Sequence, residues 1–127
     1  MFIQNQSTEI NQTDLIAIEQ TALDYIEGWY DCDETRAVKA LHPDLFKRYI
    51  DNNDLHGMGV QDMLNLIRNR EGSKFKGDRQ IKVTVLDVFN DIAAAKIESA
   101  EYNDYVHLGK INGDWMIINV LWGFKKA

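Results

Sequence analysis

The residues of this sequence best suited to chemistry are His42, in "LHPDLF", and Asp104, in "YNDYVHL". An imidazole titrates near neutrality, so His42 could take a proton from a bound molecule or hydrogen-bond to it. A buried Asp104 could act as the base instead, with Asn119 nearby and the hydroxyl of Tyr25 or Tyr49 opposite. Proton shuffling on a small carbonyl compound needs such a base, together with donors that stabilise the developing oxyanion. Tyr25, Trp29, Phe46 and Tyr49 could wall an apolar pocket with polar tips, and Met63 with Ile67 could close it. Structural roles are open to the same residues. His42 can cap the last carbonyls of a helix that Pro43, the only proline, brings to an end. Asp44 suits a turn, Asp104 suits the entry to a strand, and the aromatics suit an ordinary core.

Other chemistries lack their signatures. His42, His56 and His107 are far apart, with no paired spacing and no cysteine partner, so no metal site is expected. Gly57-Met58-Gly59 lacks the lysine and the length of a phosphate loop. No nucleophile–base motif is present, and no cofactor is expected.

The elements that position these groups follow from periodicity. Leu15, Ile18, Ala22, Tyr25, Ile26 and Trp29 recur at helical intervals, which predicts a helix from Asp14 to about Tyr30 with Thr13 or Asp14 as its cap. Asp33 caps a shorter helix through Leu41, which Pro43 ends. "LFKRYID" alternates as a strand over residues 45–51, and "NNDLHGMG" reads as a loop. A third helix carries Val60, Met63, Leu64 and Ile67 on its apolar side, with Gly72 as its C-cap. From Arg79 onward the chain is β. Its last two strands are joined by Asn112-Gly113, the residues that a type I′ hairpin turn prefers.

A two-residue turn there sets the faces of both strands. Lys110/Trp115, Leu108/Ile117, Val106/Asn119 and Asp104/Leu121 fall on one side. Gly109/Met116, His107/Ile118, Tyr105/Val120 and Asn103/Trp122 fall on the other. Both sides are largely apolar, so each needs a cover. The three helices can cover one side only. A second copy of the chain is the simplest cover for the other, which predicts a homodimer through Tyr105, His107, Ile118, Val120 and Trp122.

The bulk properties narrow the function classes. At 127 residues the chain is long enough for one domain with a real core, with a loose polar arm over residues 1–12 and the domain over 13–127. Hydrophobic residues are 45% and charged residues 27%, which excludes a disordered class. A net charge of −6 leaves no basic stripe to neutralise phosphates, so nucleic acid is not an expected partner. The clusters Lys47-Arg48, Arg68 to Arg70 and Lys125-Lys126 read as solvated faces. Cys32 is the single cysteine, and neither a membrane span nor a secretory leader is evident, so a cytoplasmic location is expected.

Two stretches carry a resemblance. "YIEGWYDCDETRAVKALHPDLFKR" joins aromatic, glycine and His-Pro positions at fixed spacing, and "DYVHLGKINGDWMIINVLW" contains the hairpin. Together they resemble the putative lumazine-binding family of the NTF2-like superfamily, and the second is shared more loosely with SnoaL-like and ketosteroid-isomerase-like relatives. The resemblance implies an α+β, cystatin-like cone of three N-terminal helices on a curved, mostly antiparallel sheet, with a cavity between them and usually a dimer. His-Pro-Asp also marks the J-domain of chaperone partners, but that module is all-helical with a strongly basic helix before the tripeptide, unlike "DETRAVKAL". The expected function is binding of a small, partly apolar molecule by Tyr25, Trp29, His42, Tyr49, Met63, Asp104 and Asn119. The alternatives are an isomerase or cyclase using His42 or Asp104 as base, and an assembly module with a vestigial cavity.

Overall fold

A computed structural model describes residues 2–3 and 11–125. The long helix α1 (Gln12–Asp31) starts two residues earlier than the periodicity predicts. Asn11 is its cap, accepting from the Thr13 N–H at 2.8 Å. That leaves Asp14 free to reach the sheet. The helix stops at Cys32, which takes a left-handed conformation (φ 54°) and donates its N–H to the last turn. Asp33 then caps α2 (Glu34–Ala40) through the Arg36 N–H, as expected.

Strand β2 (Leu41–Asp51) begins before the proline and not after it. Its pairing slips between Leu41 and Phe46, and His42-Pro43-Asp44 occupy that irregularity. A proline cannot donate to a ladder and is tolerated in strands where the ladder is interrupted. The expected loop at 51–59 is instead half of a hairpin, with β3 (Asp54–Gly59) pairing back on β2. Asn52 and Asn53 both take positive φ, 50° and 65°, as a tight hairpin turn requires. Helix α3 (Val60–Arg68) follows and is capped at its end by Asn69, not Gly72. Gly72 serves a different need, because a Cβ there would sit 2.0 Å from the carbonyl oxygen of Trp29.

The remaining strands are β4 (Lys82–Phe89), β5 (Ile92–Glu98), β6 (Tyr102–Ile111) and β7 (Asp114–Phe124). With the short β1 (Phe2–Ile3) they form one sheet in the order β1-β4-β5-β6-β7-β2-β3, antiparallel except for β1–β4 and β2–β7. Of the arm expected over residues 1–12, Phe2 and Ile3 lie along β4, Asn11 and Gln12 begin α1, and the rest lies outside the described residues. Helices α1 and α3 pack on one side of the sheet. Leu15, Ile18, Ala22 and Ile26 of α1 and Met63 and Ile67 of α3 are buried against Val85, Ile97, Val106, Leu108 and Ile117. Each large apolar side chain buried this way contributes about 1.5–3 kcal/mol. This is the α+β cone, and no described helix is long and apolar enough to cross a membrane.

The hairpin turn forms as predicted, with Asn112 at φ 52° and Gly113 at 86°. Pairing runs as expected from Ile111↔Asp114 to Leu108↔Ile117 and then shifts, so that His107 meets Asn119 and Val106 meets Val120. Ile118 is the extra residue of a bulge. Beyond it every side chain of β7 lies on the face opposite to the one expected. Val120, Trp122 and Phe124 turn toward the helices, and Asn119 and Leu121 turn away.

Candidate functional site

The bulge builds one wall of a pocket. At the wide end of the cone, rows of paired residues cross the sheet on the helix-covered face. Asp104, Trp122, Tyr49 and His56 form one row over β6, β7, β2 and β3; Val106, Val120, Lys47 and Met58 form the next. Helix α1 adds Tyr25, Ile26 and Trp29 above them, and α3 adds Met63 and Leu66. Between these layers lies a hollow of about 310 Å³, bordered also by Glu71, Tyr102 and Phe124. Its rings interlock: Tyr102 stands edge-on to Trp29 and to Trp122, and Tyr49 packs 4.9 Å from Trp122 between centroids.

The polar end is a chain of three groups. Tyr25 Oη donates to Asp104 Oδ2 at 2.5 Å and accepts from Lys47 Nζ at 2.6 Å. Lys47 Nζ remains 4.0 Å from Asp104 Oδ2, outside direct contact. Around the ammonium are the faces of Tyr25, Trp122 and Trp29, with centroids at 5.1, 5.1 and 5.7 Å. Asp104 is 2% exposed, and its Oδ1 has no hydrogen-bond partner. The indole N–H groups of Trp29 and Trp122 are likewise buried without an acceptor in hydrogen-bond geometry.

Burial drives the electrostatics. Desolvation raises the Asp104 carboxyl above the ordinary aspartate range, a rise that Lys47 and the Tyr25 hydroxyl only partly oppose. Desolvation also lowers the Lys47 ammonium, against the pull of Asp104. The Tyr25 phenol is pushed well up by burial and by the neighbouring carboxylate, and Tyr102 is pushed up to about 12, mainly by burial. Lysine and aspartate are therefore both moved toward their neutral forms. Such an arrangement can bind a polar edge of a small molecule, or hold and move a proton beside it.

Tyr25, Trp29, Tyr49, Met63 and Asp104 all line this hollow. His42 does not: its Nδ1 accepts from the Asp44 N–H at 3.0 Å, fixing the strand irregularity around Pro43. Asn119 is also absent, because the bulge turns it to the opposite face, beside His107 in a shallow depression with Phe89 and Ile92. Val120 and Trp122, assigned above to a dimer surface, lie on the helix-covered face; Val120 is 2% exposed. Lys47, read as part of a solvated cluster, is a central member of the site. Its position was legible from parity, since Leu45, Lys47 and Tyr49 share one face of β2. Met58, Tyr102 and Trp122 carried no comparable signal, because each depends on a pairing that the sequence pattern leaves open. No group of three or more potential metal ligands occurs among the described residues.

Comparison with known proteins agrees with this architecture. The model of a family described as putative lumazine-binding matches residues 13–123. No curated protein matches the sequence. Among solved structures, an NTF2-like protein of unknown function from Shewanella baltica is 20% identical with a TM-score of 0.75, covering 97% of this chain and 100% of its own. Another from Silicibacter pomeroyi is 13% identical with a TM-score of 0.77, covering 91% and 100%. A ketosteroid isomerase-like protein from Erwinia carotovora is 16% identical with a TM-score of 0.67, covering 92% and 100%. At these identities the likeness to the solved structures is one of fold.

Proposed function

We propose, for a chain that belongs to the putative lumazine-binding family of NTF2-like proteins, that the hollow is a binding site for a small, flat, partly apolar molecule. The observation that carries this reading is the orphaned Asp104 Oδ1 within an aromatic enclosure. A buried acceptor without a donor costs free energy, and a ligand N–H or O–H would remove that cost. Lys47 offers a donor to a neighbouring carbonyl, and the rings of Trp29, Tyr102 and Trp122 offer faces to a planar body. An edge that presents N–H next to C=O suits both polar groups, so lumazine, the molecule in the family's name, belongs in the first panel of probes. Quenching of Trp29 and Trp122 fluorescence on titration, together with native mass spectrometry of the gently purified protein, tests the reading. Binding that survives Trp122→Ala and Asp104→Asn unchanged would overturn it.

A second reading, proton transfer with Asp104 as general base, draws on its raised carboxyl and the adjoining Tyr25 hydroxyl. Deuterium exchange next to the carbonyl of cyclic ketones, abolished by Asp104→Asn, is its test. His42 has no part in it, because its side chain does not reach the hollow.

We further infer a homodimer through the face of the sheet away from the helices. On that face Tyr105, Leu121, Ile50 and Leu55 are 50%, 48%, 68% and 63% exposed, a surface of a kind that usually meets a partner. The interface is redrawn from the one first expected: Tyr105, His107 and Ile118 remain, and Leu121 with Phe46 replaces Val120 and Trp122. Light scattering should give twice the chain mass, and Leu121→Lys should halve it.

A further inference from the structure

We propose that Lys47 is a carbonyl-capturing amine, forming a Schiff base with an aldehyde or unhindered ketone carried on a flat apolar molecule in the hollow, while Tyr25 and Asp104 relay the protons. This rests on the reading of the hollow as a small-molecule site, and it adds covalent chemistry and a substrate class.

The geometry supplies each part that the reaction needs. Nζ stands at the polar end of a pocket large enough for a bicyclic ring. It is bonded to Tyr25 Oη at 2.6 Å, which is bonded in turn to Asp104 Oδ2 at 2.5 Å. The donors point one way along this chain, from amine to phenol to carboxylate. One concerted shift therefore converts ammonium and carboxylate into amine and carboxylic acid, with the phenol unchanged. A lysine kept for a structural ion pair would touch its carboxylate. Lys47 is held 4.0 Å from Oδ2 and faces three aromatic rings. Its surroundings also lower the ammonium's hold on its proton, as a nucleophilic amine requires.

The step balances without any oxidant or further reactant. Lys47 passes a proton to Tyr25 as Tyr25 passes its own to Asp104, which frees the Nζ lone pair. Nζ attacks the carbonyl carbon; the C–N bond forms, the C=O π pair moves to oxygen, and oxygen takes a proton from nitrogen to give a carbinolamine. Asp104 returns its proton through Tyr25 to the hydroxyl, which leaves as water while the nitrogen lone pair forms C=N. The net change is ammonium plus carbonyl to iminium plus water, with Asp104 again a carboxylate beside the cation.

The test uses the intact protein with benzaldehyde or 2-naphthaldehyde and sodium cyanoborohydride, followed by peptide mapping. The expected result is a single reduced adduct on Lys47, forming at least tenfold faster than on the exposed Lys39 and Lys76. Lys47→Arg should give no fast adduct, and Tyr25→Phe, which keeps the amine, should slow trapping at least tenfold. Label spread over exposed lysines with Lys47 unmodified overturns the proposal, and the wild-type protein alone decides this even if a variant fails to fold. 2-Naphthalenemethanol, of similar shape but without a carbonyl, separates the two readings by tryptophan quenching. If the alcohol binds and the aldehyde is not trapped, the imine is refuted and the pocket stands. If neither occurs, both fail.

Discussion

Two lysine–aspartate pairs among the described residues, Lys110 with Asp14 and Lys47 with Asp104, differ in nearly every respect except composition. Near the hairpin end of the sheet, Lys110 Nζ touches Asp14 Oδ1 at 3.1 Å, and the Trp115 indole donates to the same oxygen at 3.0 Å. The lysine is 32% exposed and the aspartate 15%. At the wide end, Lys47 and Asp104 are 14% and 2% exposed and are separated by a phenol. The Asp14 carboxyl is held below its ordinary value, chiefly by the Trp115 hydrogen bond, whereas burial lifts that of Asp104. Direct contact with some access to water makes a fixture that fastens α1 to β6 and β7. Distance, desolvation and an interposed hydroxyl move both groups of the other pair toward their neutral forms, which is a property of reactive sites more than of fasteners.

The largest expected effect breaks the two pairs by the same change. Asp104→Ala leaves an unpaired ammonium in a buried setting and should cost ~3–5 kcal/mol. Asp14→Ala exposes its partner to water and should cost ~1 kcal/mol after solvent screening. Urea unfolding of both variants measures the difference, and equal losses would erase the distinction. Next in size is Tyr25→Phe, which removes a bridge that the other pair does not have. It should cost about 2 kcal/mol, since Lys47 and Asp104 both lose a partner.

The pH dependence sharpens the contrast through its sign. Asp14, with a lowered folded-state value, contributes stability that is present above its unfolded value near 3.8 and is lost as pH falls through the folded value. Asp104, raised in the folded state, contributes stability that is present below 3.8 and is lost as pH rises through its folded value. The stability gap between wild type and Asp14→Asn should therefore widen from acid to neutral pH, while the gap to Asp104→Asn should narrow. Unfolding midpoints across that range would show slopes of opposite sign. The smallest effect belongs to Asn119→Ala, on the far side of the bulge. It should change stability by less than about 0.5 kcal/mol and leave tryptophan quenching untouched.

The fold was legible because its signals were local. The α1 stripe, the Asp33 cap and the Asn112-Gly113 turn each depend on residues within a turn or two of one another, and each formed. The site was legible where it followed a single element: Tyr25 and Trp29 on a helical stripe, Tyr49 by alternation, Asp104 on β6, the strand of that pair without the extra residue. It ceased to be legible at Ile118. Nothing in "MIINVLW" marks which residue is left over, since Ile117, Ile118 and Val120 all suit either face of a strand. One extra residue was enough to exchange Asn119 for Trp122 in the pocket. Lys47 was missed for another reason. A charge beside Arg48 suggests solvent, although the alternation of Leu45, Lys47 and Tyr49 along β2 places its stem on the inner face.

The parallel seam between β2 and β7 also sets a timetable for synthesis. Lys47 and Tyr25 leave the ribosome long before Trp122, and until the final strand emerges the inner edge of β2 has no neighbour in the sheet. The β2–β3 hairpin can form early, but the seam joins segments some seventy residues apart, and closures that span so much chain come late. The nascent chain must therefore carry an unfinished pocket, its lysine still wet, until β7 has been made.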